Sequence, residues 1–111
     1  MLVRGIRGAI TVQENTKEAI LKATKELLQE LKSANELEIE KIASIIFSMT
    51  SDLDQVFPPA AARELGWTKV PLFCSQELEI KGALSKCIRV LIHYNTSKPQ
   101  EEIRHVYLRG A

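Results

Sequence analysis

Two arginines stand inside runs that otherwise read as β-strands: Arg7 in Val3-Arg4-Gly5-Ile6-Arg7-Gly8-Ala9-Ile10-Thr11-Val12, and Arg89 in Lys86-Cys87-Ile88-Arg89-Val90-Leu91-Ile92. A guanidinium withdrawn from water among β-branched neighbours, with no anion beside it, costs several kcal/mol. Neither run contains a carboxylate. Each charge is therefore answered by a distant acid, Glu77 or Glu79 being the candidates for Arg89, or by a ligand. Two planar forks on one small sheet suit a bidentate grip on a small dicarboxylate. The other reactive residue types carry less. Cys74 and Cys87 are too few for a disulfide scaffold and have no metal-ligand spacing. No histidine is placed to activate the thiol in Cys74-Ser75-Gln76-Glu77, so no nucleophilic dyad forms there. His93 and His105 lack companions for a metal site and lack an evident Ser or Cys partner, and both read as structural. Tyr107, in Ile103-Arg104-His105-Val106-Tyr107-Leu108, shares a strand face with Ile103 and His105. A strand tyrosine usually belongs to the core, although its phenol also suits a carboxylate.

The elements that position these groups follow from periodicity. Alternation over residues 2–12 sets Arg4, Ile6, Gly8, Ile10 and Val12 on one face and Val3, Gly5, Arg7, Ala9 and Thr11 on the other. Arg7 thus lies among small residues, with room beside it. Arg89 shares its face with Cys87 and Leu91, opposite Ile88, Val90, Ile92 and Tyr94. Asn15-Thr16-Lys17-Glu18 predicts a helix start with Asn15 as N-cap and Glu18 closing a capping box. Ala19, Ile20, Ala23, Leu27, Leu28, Leu31 and Ala34 then recur at helical spacing up to a stop at Asn35. A helical turn over 38–42 leads to a strand over 43–50, rich enough in Ile and Phe to be covered on both faces. Pro58-Pro59 opens a short helix over 60–65, closed by Gly66. Strands over 70–75, 86–95 and 103–109 complete the order β-α-β-α-β-β-β. The expectation is a single α+β domain over 1–111, a mixed sheet with helices on one face.

Composition bounds the function. The 111 residues are 45% apolar and 26% charged, with a net charge of +1 and the signs interspersed. That balance leaves no basic footprint for nucleic acid or an anionic membrane surface. No apolar run approaches the ~20 residues of a membrane helix. Arg4 and Arg7 interrupt what would be the apolar core of a leader, and the cysteine usage fits a reducing cytoplasm.

The ordered set Arg4-Gly5-Ile6-Arg7-Gly8-Ala9, Asp52-Leu53 with Val56-Phe57-Pro58, Ala62-Arg63-Glu64-Leu65-Gly66-Trp67, Val70-Pro71, Gln76-Glu77, Cys87-Ile88-Arg89-Val90 and Ile103-Arg104-His105-Val106-Tyr107-Leu108 spans nearly the whole chain. It resembles the monofunctional, trimeric α/β chorismate mutases, as distinct from the all-helical class. The resemblance implies a homotrimer with a barrel-like core and sites between subunits. It implies an isomerase that turns chorismate into prephenate for phenylalanine and tyrosine synthesis, with no metal and no cofactor. By position it implies that Arg7 and Tyr107 hold the side-chain carboxylate and that Arg89 bridges this carboxylate and the ether oxygen. Glu77 would accept from the ring hydroxyl with Cys74 close by. Phe73, Cys74, Ser75 and Gln76 would line the pocket, Phe57 would form an apolar wall, and Arg63 would sit at the rim. Three departures stand out: Ala60 where the family commonly has lysine, Phe73 where a small polar residue is expected, and an end at Ala111 ahead of a tail that covers the pocket in relatives. They imply a more open site and weaker binding. Residue chemistry alone leaves two rivals, a trimeric carboxylate-binding module and a small imine hydrolase of similar fold.

Overall fold

The computed structural model describes residues 2–111. Along the chain run β1 (Leu2–Thr11), α1 (Lys17–Asn35), β2 (Ile42–Met49), α2 (Pro59–Glu64), β3 (Leu72–Gln76), β4 (Cys87–Thr96) and β5 (Val106–Leu108). The strands form one sheet in the order β3-β2-β4-β1-β5. β4 pairs antiparallel with β1 and β2, while the edge strands β3 and β5 run parallel to β2 and β1. The mixed sheet and the α+β class expected from the element order are both present.

One face of the sheet is the core. Ile6 and Ile10 from β1, Ile45 and Phe47 from β2, and Ile88, Val90 and Ile92 from β4 are buried in one cluster with Ile20, Leu27, Leu28 and Leu31 of α1. Full burial of each such side chain is worth about 1.5–3 kcal/mol. Gly8 marks how closely α1 approaches: a Cβ there would lie 2.8 Å from Leu31 Cδ1 and 3.1 Å from Leu27 Cδ1. Thr24 is the one polar residue on the buried helix face above its last turn, and its hydroxyl donates to the Ile20 carbonyl at 2.7 Å. Ala34, expected on that face, is exposed.

The caps differ from expectation by one residue. Thr16, in extended conformation, is the N-cap, and its hydroxyl accepts from the Ala19 N–H at 3.1 Å. Asn15 instead joins Asp54: its amide donates to the carboxylate at 2.8 Å and its oxygen accepts from the Asp54 N–H at 3.0 Å. At the other end Asn35 is still helical, and Glu36 takes the left-handed turn at φ 50°. Buried Asn35 then fastens the C-terminal segment, donating to the Arg104 carbonyl at 2.9 Å and accepting from the Arg104 N–H at 2.8 Å.

Two strand expectations are corrected. β2 is covered on one face only: Ile45 and Phe47 are buried, but Ile46 is 37% exposed. Among the described residues no helix packs over its second face, since the buried faces of α1 and α2 join the core on the other side. The final strand shrinks to three residues, since a turn of 3-10 helix at Gln100–Glu102 precedes it and pairing with β1 spans only Val106 to Leu108.

Candidate active site

The face of the sheet away from α1 carries the charged groups, and the register sets them side by side. Ser75, Ser48, Arg89, Ala9 and Tyr107 are successive partners across β3, β2, β4, β1 and β5. Phe73, Ile46, Leu91 and Arg7 form the adjacent row. Arg7 and Arg89, which are 82 positions apart by their numbering, therefore lie one row apart on neighbouring strands. Ala9, between Arg89 and Tyr107, is small and covered.

A cleft of about 280 Å³ opens on this face, lined by Arg7, Gly8, Ile46, Ser48, Glu77, Arg89, Val90, Leu91 and Tyr107. Arg89 does have an internal carboxylate: its Nε lies 3.1 Å from Glu77 Oε1. The first alternative raised by the sequence thus holds for this residue, because the chain leaving β3 turns Glu77 back over the sheet, its N–H donating to the Met49 carbonyl at 3.0 Å. Both partners remain partly exposed. Arg7 makes no ion pair among the described residues. Its backbone N–H donates to His105 Nδ1 at 2.9 Å, which ties β1 to the segment that delivers Tyr107. Two guanidiniums against one carboxylate leave the cleft net positive, as capture of an anion requires.

Other expected residues lie elsewhere. Phe57, Cys74, Ser75 and Gln76 line a second cleft of about 540 Å³ with Met49, Leu53, Val56 and the polar loop after β2. The two clefts share no lining residue. The second contains no cation and is walled by apolar groups and neutral polar ones apart from Asp54. Phe73 lines neither and is 64% exposed on the outer face; Arg63, exposed on α2, also lines neither. Burial pushes the Cys74 and Cys87 thiols upward, so both stay protonated near neutral pH and are unsuited to nucleophilic attack.

Two pairings escaped sequence reasoning. Ser48 donates to Glu77 Oε1 at 2.6 Å. His93 has a serine partner after all: its Nδ1 lies 3.0 Å from Ser44 Oγ across the β2–β4 pair. Only the register shows that Ser44 of β2 stands opposite His93.

Fold and cleft together describe an α+β protein with two guanidiniums, a carboxylate and a phenol around one cleft on the outer sheet face. The family model for chorismate mutase type I matches residues 3–111. The chain is 50% identical over 111 residues to chorismate mutase AroH of Thermus thermophilus, covering 99% of this chain and 91% of that one. It is 49% identical over 109 residues to chorismate mutase AroH of Bacillus subtilis, covering 97% and 86%. A solved chorismate mutase from Clostridium thermocellum superposes with a TM-score of 0.95 at 50% identity, over 97% of this chain and 96% of that chain. The chain belongs to the type I chorismate mutase family, a family of isomerases.

Proposed function

We propose that the outer sheet face converts chorismate to prephenate and that Arg89 stabilises the charge that grows as the ether bond breaks. The observation that carries this reading is the placement of Arg7, Arg89, Glu77 and Tyr107 around one cleft of about 280 Å³, in a chain of this family. The substrate is a dianion, and the cleft is net positive. The reaction is unimolecular: one C–O bond breaks while one C–C bond forms, and no proton needs to move. What an enzyme supplies is selection of the reactive conformer and fixed charge at the separating oxygen.

Arg7, free of any internal acid among the described residues, grips the side-chain carboxylate, with the Tyr107 hydroxyl beside it. Arg89 spends Nε on Glu77, and among the described residues neither of its Nη atoms has a hydrogen-bond partner. The guanidinium plane is thereby held by one edge while the other meets the carboxylate and the ether oxygen. Glu77 accepts from the ring hydroxyl. The protonated Cys74 thiol, a weak donor, and the apolar Phe57 line the second cleft and join this site only across a subunit boundary.

We further propose a cytoplasmic homotrimer whose sites lie between subunits. The division of the expected residues between two clefts supports this, since Phe57, Cys74, Ser75 and Gln76 from one chain can complete the Arg7–Arg89 cleft of another, with Phe73 and Arg63 at the join. The uncovered outer face supports it too: Val3, Ile46, Phe73 and Tyr107 are exposed there. The free Cys74 and Cys87 thiols fit a reducing compartment.

The test follows chorismate absorbance with the purified protein in H2O and D2O. A solvent isotope effect near unity and turnover unaffected by EDTA are expected; a large isotope effect with a bell-shaped pH profile contradicts a proton-free mechanism. Light scattering reports the assembly. Mixing Arg89→Ala with Phe57→Asp subunits tests the shared site, because activity returns in mixed trimers only if the two residues come from different chains.

A further inference from the structure

Within the proposed site one group is engaged from two sides. Glu77 Oε1 accepts from the Ser48 hydroxyl at 2.6 Å and faces Arg89 Nε at 3.1 Å. Ser48 belongs to β2, Arg89 stands directly opposite it on β4, and Glu77 follows the end of β3. Three elements thus converge on a single oxygen. We propose that Ser48 is a positioning residue, which fixes the Glu77 carboxylate so that Oε1 orients Arg89 and Oε2 is kept for the substrate hydroxyl.

The physical case rests on what each partner leaves free. A flexible Glu at the exit of an edge strand has several rotamers, and an arginine alone holds it weakly when both are partly exposed. A hydroxyl anchored on a strand of the sheet adds a charge-assisted bond with a fixed origin. With Oε1 bonded to Ser48 and facing the Arg89 Nε, reorientation of the carboxylate is disfavoured. Arg89 is in turn restrained through Nε, which sets the plane in which its terminal nitrogens point. The hydrogen bond that the Ser48 hydroxyl makes goes to Glu77, so its effect passes through that carboxylate. The outer row fits this role: Ser48 stands between Ser75, too small to wedge the carboxylate, and Arg89, which the carboxylate faces.

This inference rests on the mutase reading, and the experiment separates the two. Steady-state kinetics are measured for wild type, Ser48→Ala, Ser48→Thr, Glu77→Ala and the Ser48→Ala/Glu77→Ala double variant, with thermal unfolding of each. Ser48→Ala should lower kcat/KM about 10–100-fold, the scale of a lost hydrogen bond to a charged group, with most of the loss in kcat and little change in Tm. Ser48→Thr keeps the hydroxyl and should stay within about threefold of wild type. In the Glu77→Ala background, Ser48→Ala should cost less than about twofold, because a residue that acts through another loses its effect with it. Equal losses in both backgrounds, a loss in Ser48→Thr matching that in Ser48→Ala, or an unchanged Ser48→Ala variant would overturn the positioning role while leaving the mutase reading intact. A wild-type protein that leaves chorismate at its spontaneous rate overturns both.

Discussion

The two faces of the sheet are built from the same strands and differ by a single step along each. On β4, Ile88 and Val90 pack under α1 while Arg89 between them points into the outer cleft. On β2, buried Phe47 precedes Ser48, and on β1, Gly8 against α1 precedes Ala9 and follows Arg7. The inner face is closed by the chain's own helix and satisfied internally: no buried side-chain N or O among the described residues lacks a partner. The outer face has no helix over it, and its Arg7 guanidinium has no acid partner among the described residues. A period of two therefore separates core residues from cleft residues, and each class is expected to tolerate change with little effect on the other.

The largest expected effect comes from the outer face. Arg89→Lys should cost ~10²–10³ in kcat, because a point charge cannot keep the Nε contact to Glu77 and also present two coplanar donors; unfolding in urea should barely change. Equal kcat in this variant would break the division of labour. On the inner face Leu27→Ala, which empties space over Gly8, should cost about 2–5 kcal/mol in urea unfolding with kcat of the folded fraction unchanged. A drop in kcat there would mean that core packing sets the outer geometry. Next comes Arg7→Ala, expected to raise KM about 10–100-fold with a small change in kcat, since a grip equal in ground and transition states is uniform binding. The smallest effect lies at the edge of the fold. The Asn15 amide, and then that of Gln55, hold the Asp54 carboxyl below its ordinary value of 3.8. A depressed carboxyl stabilises the native state above its unfolded pKa and loses that contribution as pH falls through the folded one. Asn15→Ala should thus reduce the difference in urea midpoint between about pH 6 and about pH 3.

How much of this could be read from the residues differs between the same two faces. The inner face was almost fully legible, because helical spacing from Ile20 to Leu31 and alternation on β1 and β4 are local signals. Alternation also set Arg7 opposite Ile6 and Ile10, and Arg89 opposite Ile88 and Val90, on their strands. What failed depended on partners distant in the chain. Asn15 left the cap to Thr16 because Asp54, 39 residues on, offered a reciprocal pair of bonds. The openness of β2 was hidden because Ile45, Ile46 and Phe47 look alike in hydrophobicity, and only the position of the helices decides which of them is covered. Glu77 over Arg89, Ser48 under Glu77 and Ser44 beside His93 are all consequences of strand register, which no local pattern encodes. The roles given to individual site residues came from resemblance, as did the assembly. Spacing alone supplied the paired arginines and the expectation of an anionic guest.

The central claim is that the Arg89 guanidinium supplies transition-state charge stabilisation on the outer face. Loss of chorismate absorbance, followed for wild type beside Arg89→Ala at saturating substrate, measures this directly. The expected result is rapid conversion by the wild type and a kcat lower by at least ~10²-fold in the variant, with the unfolding curve unmoved. Equal turnover in the two proteins, or a loss confined to KM, would contradict it.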